Sequence, residues 1–253
     1  MRIYNVDLNI IGPIKVVRTI EFNTDKELEL GAVFNSDILI KPYQLGAKIS
    51  TTVRTVNEDQ ALKIAFLFIG KMLDVLSIKA DIPLLITNSD VKTYSEQQNV
   101  TAVITPDEFE ICFKRARILN LQYTTLLRAI TWYRKGLYTD DPFDKFLALW
   151  NSITVIAGKY CESNERTRQG TINQIWDCFV TLWGLEYVNS NFKNGDVDLI
   201  KVKNDIRNNI AHGIVPVEIN YVQEVIEQLA DVKKLAFSFI TKWANDRLGQ
   251  SLR

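Results

Sequence analysis

The chain has 253 residues, 47% of them hydrophobic, with 30 lysines and arginines against 30 aspartates and glutamates. That length can bury one large core or two modest ones, and zero net charge excludes a global field that would pull the protein onto nucleic acid or an anionic membrane. The balance also holds locally, since 11 basic and 12 acidic side chains precede residue 105 and 19 and 18 follow it, so any nucleic-acid contact must come from a pocket of its own.

In chain order, the first seven residues lack the apolar stretch of a secretory signal, and Asp7 interrupts them early. Residues 2–11, 14–22, 28–43 and 47–56 are rich in Val, Ile, Thr and Phe. Gly12-Pro13, Thr24-Asp25 and Gly46 interrupt them, which predicts strands in a meander or hairpins. Asn57 opens a helix as N-cap, with Gln60 as its return partner. Leu62, Phe66, Ile69, Leu73 and Leu76 keep a helical period while Ile64, Ala65, Leu67 and Phe68 fill the other faces, so this helix is expected to be buried against a sheet. The apolar run 64–70 is too short to cross a bilayer. Residues 82–87 and 99–104 are two further strand candidates.

Residue 105 is the clearest boundary. Thr105-Pro106-Asp107-Glu108 supplies an N-cap, a proline at N1 and acids in the first turn. Strand signals then nearly vanish and helix starts recur at Asp141-Pro142, at Thr171 with Gln174, at Asp196, and at Asn220 with Gln223. Gly213 and Pro216 stop the fourth helix. The expected fold class is α+β: a mixed strand and helix domain over 1–104, then an all-α bundle of five helices over 105–253. Arg115, Arg117, Arg128 and Arg134 fall on its first helix with no partner assigned by the sequence.

Cys112, Cys161 and Cys178 are odd in number, widely spaced and in no CxxC pattern, which suits thiols of a reduced, cytoplasmic protein. One histidine and scattered cysteines argue against a His/Cys zinc site, so no metal and no cofactor is expected. No GxGxxG or Walker-type loop is present. The chemistry concentrates instead in Arg207-Asn208-Asn209-Ile210-Ala211-His212-Gly213, which holds the only histidine, five positions after an arginine, at the expected end of a helix. A group that exchanges protons near neutral pH beside a permanent cation is what phosphodiester chemistry without a metal requires. The same histidine also suits a purely structural role at a helix C-terminus.

Residues 206–213 resemble the RxxxxH signature of HEPN domains (higher eukaryotes and prokaryotes nucleotide-binding): Arg207, Asn208 and His212 match its arginine, polar residue and histidine with a spacer of four. Thr131-Trp132-Tyr133-Arg134, followed by residues 141–150, is similar to the paired helices of Apea-like and methylamine-utilisation-type members. The resemblance covers about residues 105–250. Two positions depart from it: Thr154 stands where relatives often carry Glu, and Ile214 where one subgroup carries Tyr.

The resemblance implies a metal-independent endoribonuclease, as a phage-defence or toxin effector, with Arg207 and His212 catalytic and Asn208, Asn209 and Lys203 contacting RNA. It also implies a homodimer with a composite active site, because efficient cleavage needs both an acid and a base and one chain has one histidine. Positions five apart on a helix diverge by about 140°, so Arg207 and His212 converge only if the helix ends near Ala211 or the long arginine wraps around, and Asn208, four before His212, is the better same-face neighbour. A regulatory partner is expected through the N-terminal domain. The alternative is a non-catalytic module in which the same pocket binds a nucleotide or RNA, or the fold serves a protein partner. Trp132, Tyr133, Trp150, Trp176 and Trp183 fall at helical spacing, which fits core or interface better than base stacking.

Overall fold

The structure, a computed structural model, describes residues 2–29, 32–88, 100–194, 197–214 and 218–252. Asn99, Asp196 and Pro216 lie outside the described residues. The fold is α+β, and the chain forms two compact units, Met1–Gln122 and Tyr123–Arg253.

The first unit contains β1 (Arg2–Ile11), β2 (Ile14–Lys15), β3 (Ile20–Glu29), β4 (Ala32–Tyr43), β5 (Gly46–Thr55), α1 (Glu58–Ala80), β6 (Leu85–Thr87), β7 (Ala102–Val103) and α2 (Pro106–Gln122). Five strands form one sheet in the order β3-β4-β5-β1-β6, each paired antiparallel to its neighbour. The expected strand over 14–22 is divided: β2 leaves the sheet to pair in parallel with β7. Gly46 turns β4 into β5 at φ 147°, and a Cβ there would stand 2.3 Å from the Ile10 carbonyl oxygen, so only glycine lets the chain pass β1 so closely.

Asn57 caps α1 by accepting from the Gln60 amide at 2.9 Å, as its spacing predicts. The Gln60 side chain does not return to Asn57; it accepts from Thr55 Oγ1 at 2.6 Å. The buried stripe of α1 runs through Ala61, Ala65, Ile69, Met72, Leu73 and Leu76, packed on β1 and β5. Small residues in its first turns let the helix approach the sheet, and the bulkier Leu67 is 65% exposed, so the helix is apolar beyond its buried stripe but not buried on every face.

The division between the units falls 18 residues later than the helix start suggests, after α2 rather than before it. The cause is packing. Phe113 of α2 lies 5.6 Å from Phe22 and 5.0 Å from Phe68, and Glu108 pairs with Lys79 of α1 at 2.7 Å. Thr105 and Glu108 form the expected reciprocal cap: Glu108 N donates to Thr105 Oγ1 at 3.3 Å, and Thr105 N donates to Glu108 Oε2 at 2.9 Å.

The second unit contains α3 (Thr124–Tyr138), α4 (Pro142–Tyr160), a 3-10 turn (Thr167–Gln169), α5 (Thr171–Trp183), α6 (Leu185–Phe192), β8 (Lys193–Asn194), β9 (Val197–Asp198), α7 (Leu199–His212) and α8 (Ile219–Leu248). From residue 106 the described residues hold seven α-helices, not five. Tyr123, at ψ 48°, breaks the first expected helix into α2 and α3, and Gly184, at φ 84°, divides α5 from α6. Neither break carries a proline. Arg134 is buried on α3, its guanidinium 5.6 Å from the Tyr138 ring centre.

Central α4 packs on α3, α5, α7 and α8. Asp141 caps it by accepting from Asp144 N at 2.8 Å, and Trp150, Ile153 and Ile156 are fully buried on it. A buried side chain of this size contributes about 1.5–3 kcal/mol. Phe179 of α5 joins the other side of the core, 5.0 Å from Phe239 of α8 and 4.9 Å from Trp183. Among the described residues no helix is long and apolar enough to cross a membrane.

Candidate functional site

The expected site lies on α7. Asp198 begins this helix, accepting from the amides of Ile200 at 2.9 Å and Lys201 at 3.1 Å. Gly213 ends it at φ 60°, with its N–H on the Ile210 carbonyl and that of Ile214 on the Asn209 carbonyl. The N-cap therefore lies two residues after Asp196, and α7 runs from Leu199 through His212.

Arg207 and Asn208 share a pocket of about 360 Å³ with Asn204 of α7, Thr154 of α4 and the first turn of α5. Arg207 Nη1 donates to Asn208 Oδ1 at 3.0 Å. That bond occupies an amide oxygen and leaves the Asn208 NH₂ group as a donor. None of the residues lining the pocket is acidic. Thr154 sits on its wall, where its hydroxyl donates to the Asn151 carbonyl at 3.1 Å, so this position adds no charge.

The start of α5 adds further donors. Its N-cap is Gly170, at φ 131°, and no side chain caps the helix. The first amide to find a carbonyl is that of Gln174, bonded to Gly170 O at 3.2 Å. The amides of Thr171, Ile172 and Asn173 thus have no partner among the described residues, and they carry the positive end of the helix dipole. The spacing of Thr171 and Gln174 locates this helix start, but it assigns the N-cap one residue late and hides the open end.

The remaining expected residues lie elsewhere. His212 is exposed on the last turn and does not line the pocket. Because α7 is still helical there, its side chain and that of Arg207 diverge by about 140°, whereas Asn208 lies one turn, about 6 Å, before it on nearly the same face. Lys203 is no part of the pocket: it is 8% exposed, its ammonium donates to Gln228 Oε1 of α8 at 2.8 Å, and burial holds its pKa below the usual value, opposed by Asp231. Asn209 is half-buried and comes near the Tyr221 hydroxyl of α8 without completing a hydrogen bond. Asn204, which the motif does not mark, lines the same pocket as Arg207 and Asn208. Its signal was its place four residues before Asn208.

A second hollow, about 500 Å³, is lined by Arg128, Trp132, Gly158 and Lys159 and shares Thr154 with the first. It too has no acidic lining residue. Tyr133, Trp150 and Trp176 are core side chains, while Trp132 and Trp183 are half-buried. Among the described residues no group of three or more His, Cys, Asp or Glu side chains is placed to hold a metal ion. The chain matches no protein-family model, no curated protein and no solved structure.

Proposed function

We propose that this chain is a metal-independent endoribonuclease of the HEPN type, acting as a homodimer in the cytoplasm as a defence or toxin effector. The observation that carries the reading is the Arg207–Asn208 pair in a pocket free of carboxylates, with an exposed His212 one turn further along α7. RNA supplies its own nucleophile. A base takes the 2′-OH proton, the O2′–P bond forms, the P–O5′ bond breaks, and an acid returns a proton to the departing 5′-oxygen. The products are a 2′,3′-cyclic phosphate and a 5′-OH end. Arg207 would hold the phosphate and stabilise the added charge on phosphorus. His212 would serve as base or acid, its counterpart coming from the second copy.

The divergence of Arg207 and His212 within one chain favours a site completed by two copies. Ile214 and Ile219, two and seven positions after His212, are 64% and 87% exposed, apolar surface that a second copy would cover. The same divergence is also the specific support for the second reading, a binding module that holds RNA on the Arg207 pocket and cuts nothing.

The deciding experiment incubates purified wild-type protein and His212→Ala with mixed tRNA and mRNA in excess EDTA and maps the ends. Cleavage by wild type alone, leaving cyclic phosphates, is expected. Equal binding with no cleavage by either protein would replace the nuclease with the binding module.

A further inference from the structure

We infer that the open N-terminus of α5 and the Asn204–Arg207–Asn208 face of α7 form a preorganised binding site for one phosphate group. The identity of the ligand as a phosphate of a bound RNA strand rests on the reading above; phosphate recognition itself needs neither His212 nor cleavage.

Two independent observations converge on the pocket. The first is the α5 terminus, where three consecutive amides have no partner among the described residues, no side chain caps them, and an added Cβ on Gly170 would meet nothing within 4 Å. Such an end binds anions through its N–H groups and its dipole. The second is Asn204. It is 8% exposed, lines the same pocket, and its side-chain amide has no hydrogen-bond partner among the described residues. The Asn204 amide is not sealed in but opens into the pocket, so a ligand entering there pairs it in place of water.

Charge and shape agree with the assignment. Arg207 supplies a permanent cation whose planar fork suits phosphate oxygens. Its bond to Asn208 holds the two side chains together and leaves the Asn208 NH₂ as a donor. A carboxylate ligand would find the same donors, but phosphate offers more oxygens to a set that arrives from two helices.

The test is an amide-resolved NMR titration of the full chain with inorganic phosphate, uridine 3′-monophosphate, a DNA dinucleotide and uridine. The Thr171, Ile172 and Asn173 amides should shift with the three phosphate-bearing probes and not with uridine. Tighter binding of the monophosphate would assign a strand end; tighter binding of the dinucleotide would assign an internal phosphodiester. Asn204→Asp should weaken binding about tenfold, as loss of one charge-assisted contact does. Thr171→Pro deletes one amide donor at a helix position that tolerates proline, and should weaken binding with α5 intact. Lys201→Ala, on the exposed side of α7, should change nothing. Uridine binding as well as the phosphates, or Lys201→Ala weakening phosphate as much as Asn204→Asp, would overturn the site. Phosphate binding retained in His212→Ala, with no cleavage by wild type, would leave the site standing and remove the nuclease. Cleavage without these amide shifts would do the reverse.

Discussion

Arg207 donates to Asn208, its neighbour in sequence, at 3.0 Å, although adjacent helix positions point about 100° apart. The arginine must therefore fold back across the helix surface, which holds a long, mobile cation at the mouth of a pocket. Asn208→Asp would turn this contact into an ion pair and consume the charge that the ligand needs. RNA affinity should fall at least tenfold in filter binding, and the dependence of affinity on salt should flatten. Unchanged affinity would mean that Arg207 is not the clamp.

A site shared between copies makes a sharper prediction. Arg207→Ala and His212→Ala should each reduce cleavage by about 10²–10⁴. Excess His212→Ala added to wild type should suppress cleavage, because a mixed dimer holds one histidine and lacks either the acid or the base. Cleavage that stays proportional to the wild-type protein present, when exchange of subunits is demonstrated, would place the acid and the base of each site in one chain.

Glu108 predicts behaviour in acid. Burial pushes its carboxyl upward, but the hydrogen bond from Lys79 and the bonds with Thr105 together hold it below 4.5. A lowered carboxylate stabilises the fold above its unfolded value, and that contribution is lost as pH falls through the folded one. Glu108→Gln keeps an N3 capping side chain but loses the Lys79 ion pair, so after solvent screening it should cost under about 1 kcal/mol at neutral pH and remove part of the acid sensitivity of the first unit. Urea titrations on both sides of pH 4.5 measure both effects.

The two buried thiols predict the opposite limb. Burial pushes Cys112 and Cys178 from 9.0 up to about 12. Above 9.0 the unfolded thiols lose protons that the folded ones retain, so stability falls as pH rises, by about 1.4 kcal/mol per unit for each thiol. Cys178→Ala should shallow that decline relative to wild type in denaturant titrations above pH 9.0. The same burial should leave both thiols slow to alkylate in the native protein.

Where a local pattern and its physical cause coincide, the sequence was readable. Thr105-Pro106-Asp107-Glu108 and Asp141-Pro142 carry their own cap donors and acceptors, and both helices start where those residues place them. The break at Tyr123 depends on what each flanking helix packs against, and no residue type announces it, whereas Gly184, at φ 84°, is a stop signal that lay open in the sequence. Phe113 explains why α2 groups with the sheet, but its partners Phe22 and Phe68 are distant in sequence. At the candidate site the motif located Arg207 and Asn208 in one pocket, yet it could not reveal Asn204 or the open α5 terminus, which a different segment contributes. Lys203 reads as a solvent-facing base by charge alone; its burial against Gln228 is a consequence of α8 packing.

The caps of α7 have a consequence for what the chain can tolerate. Asp198 fixes one end and Gly213 the other, while Ile200 and Ile206 are sunk in the core, so the 14-residue helix has no freedom to roll. Its rotational phase is thereby an address. Slipping the register by one residue would turn each side chain about 100° and present an ammonium from Lys203 where the Asn204 amide now stands. Substitutions on the outer face leave that address intact, whereas a one-residue insertion between Asp198 and Asn204 erases it. The length of this helix is accordingly a more rigid constraint than most of the letters within it.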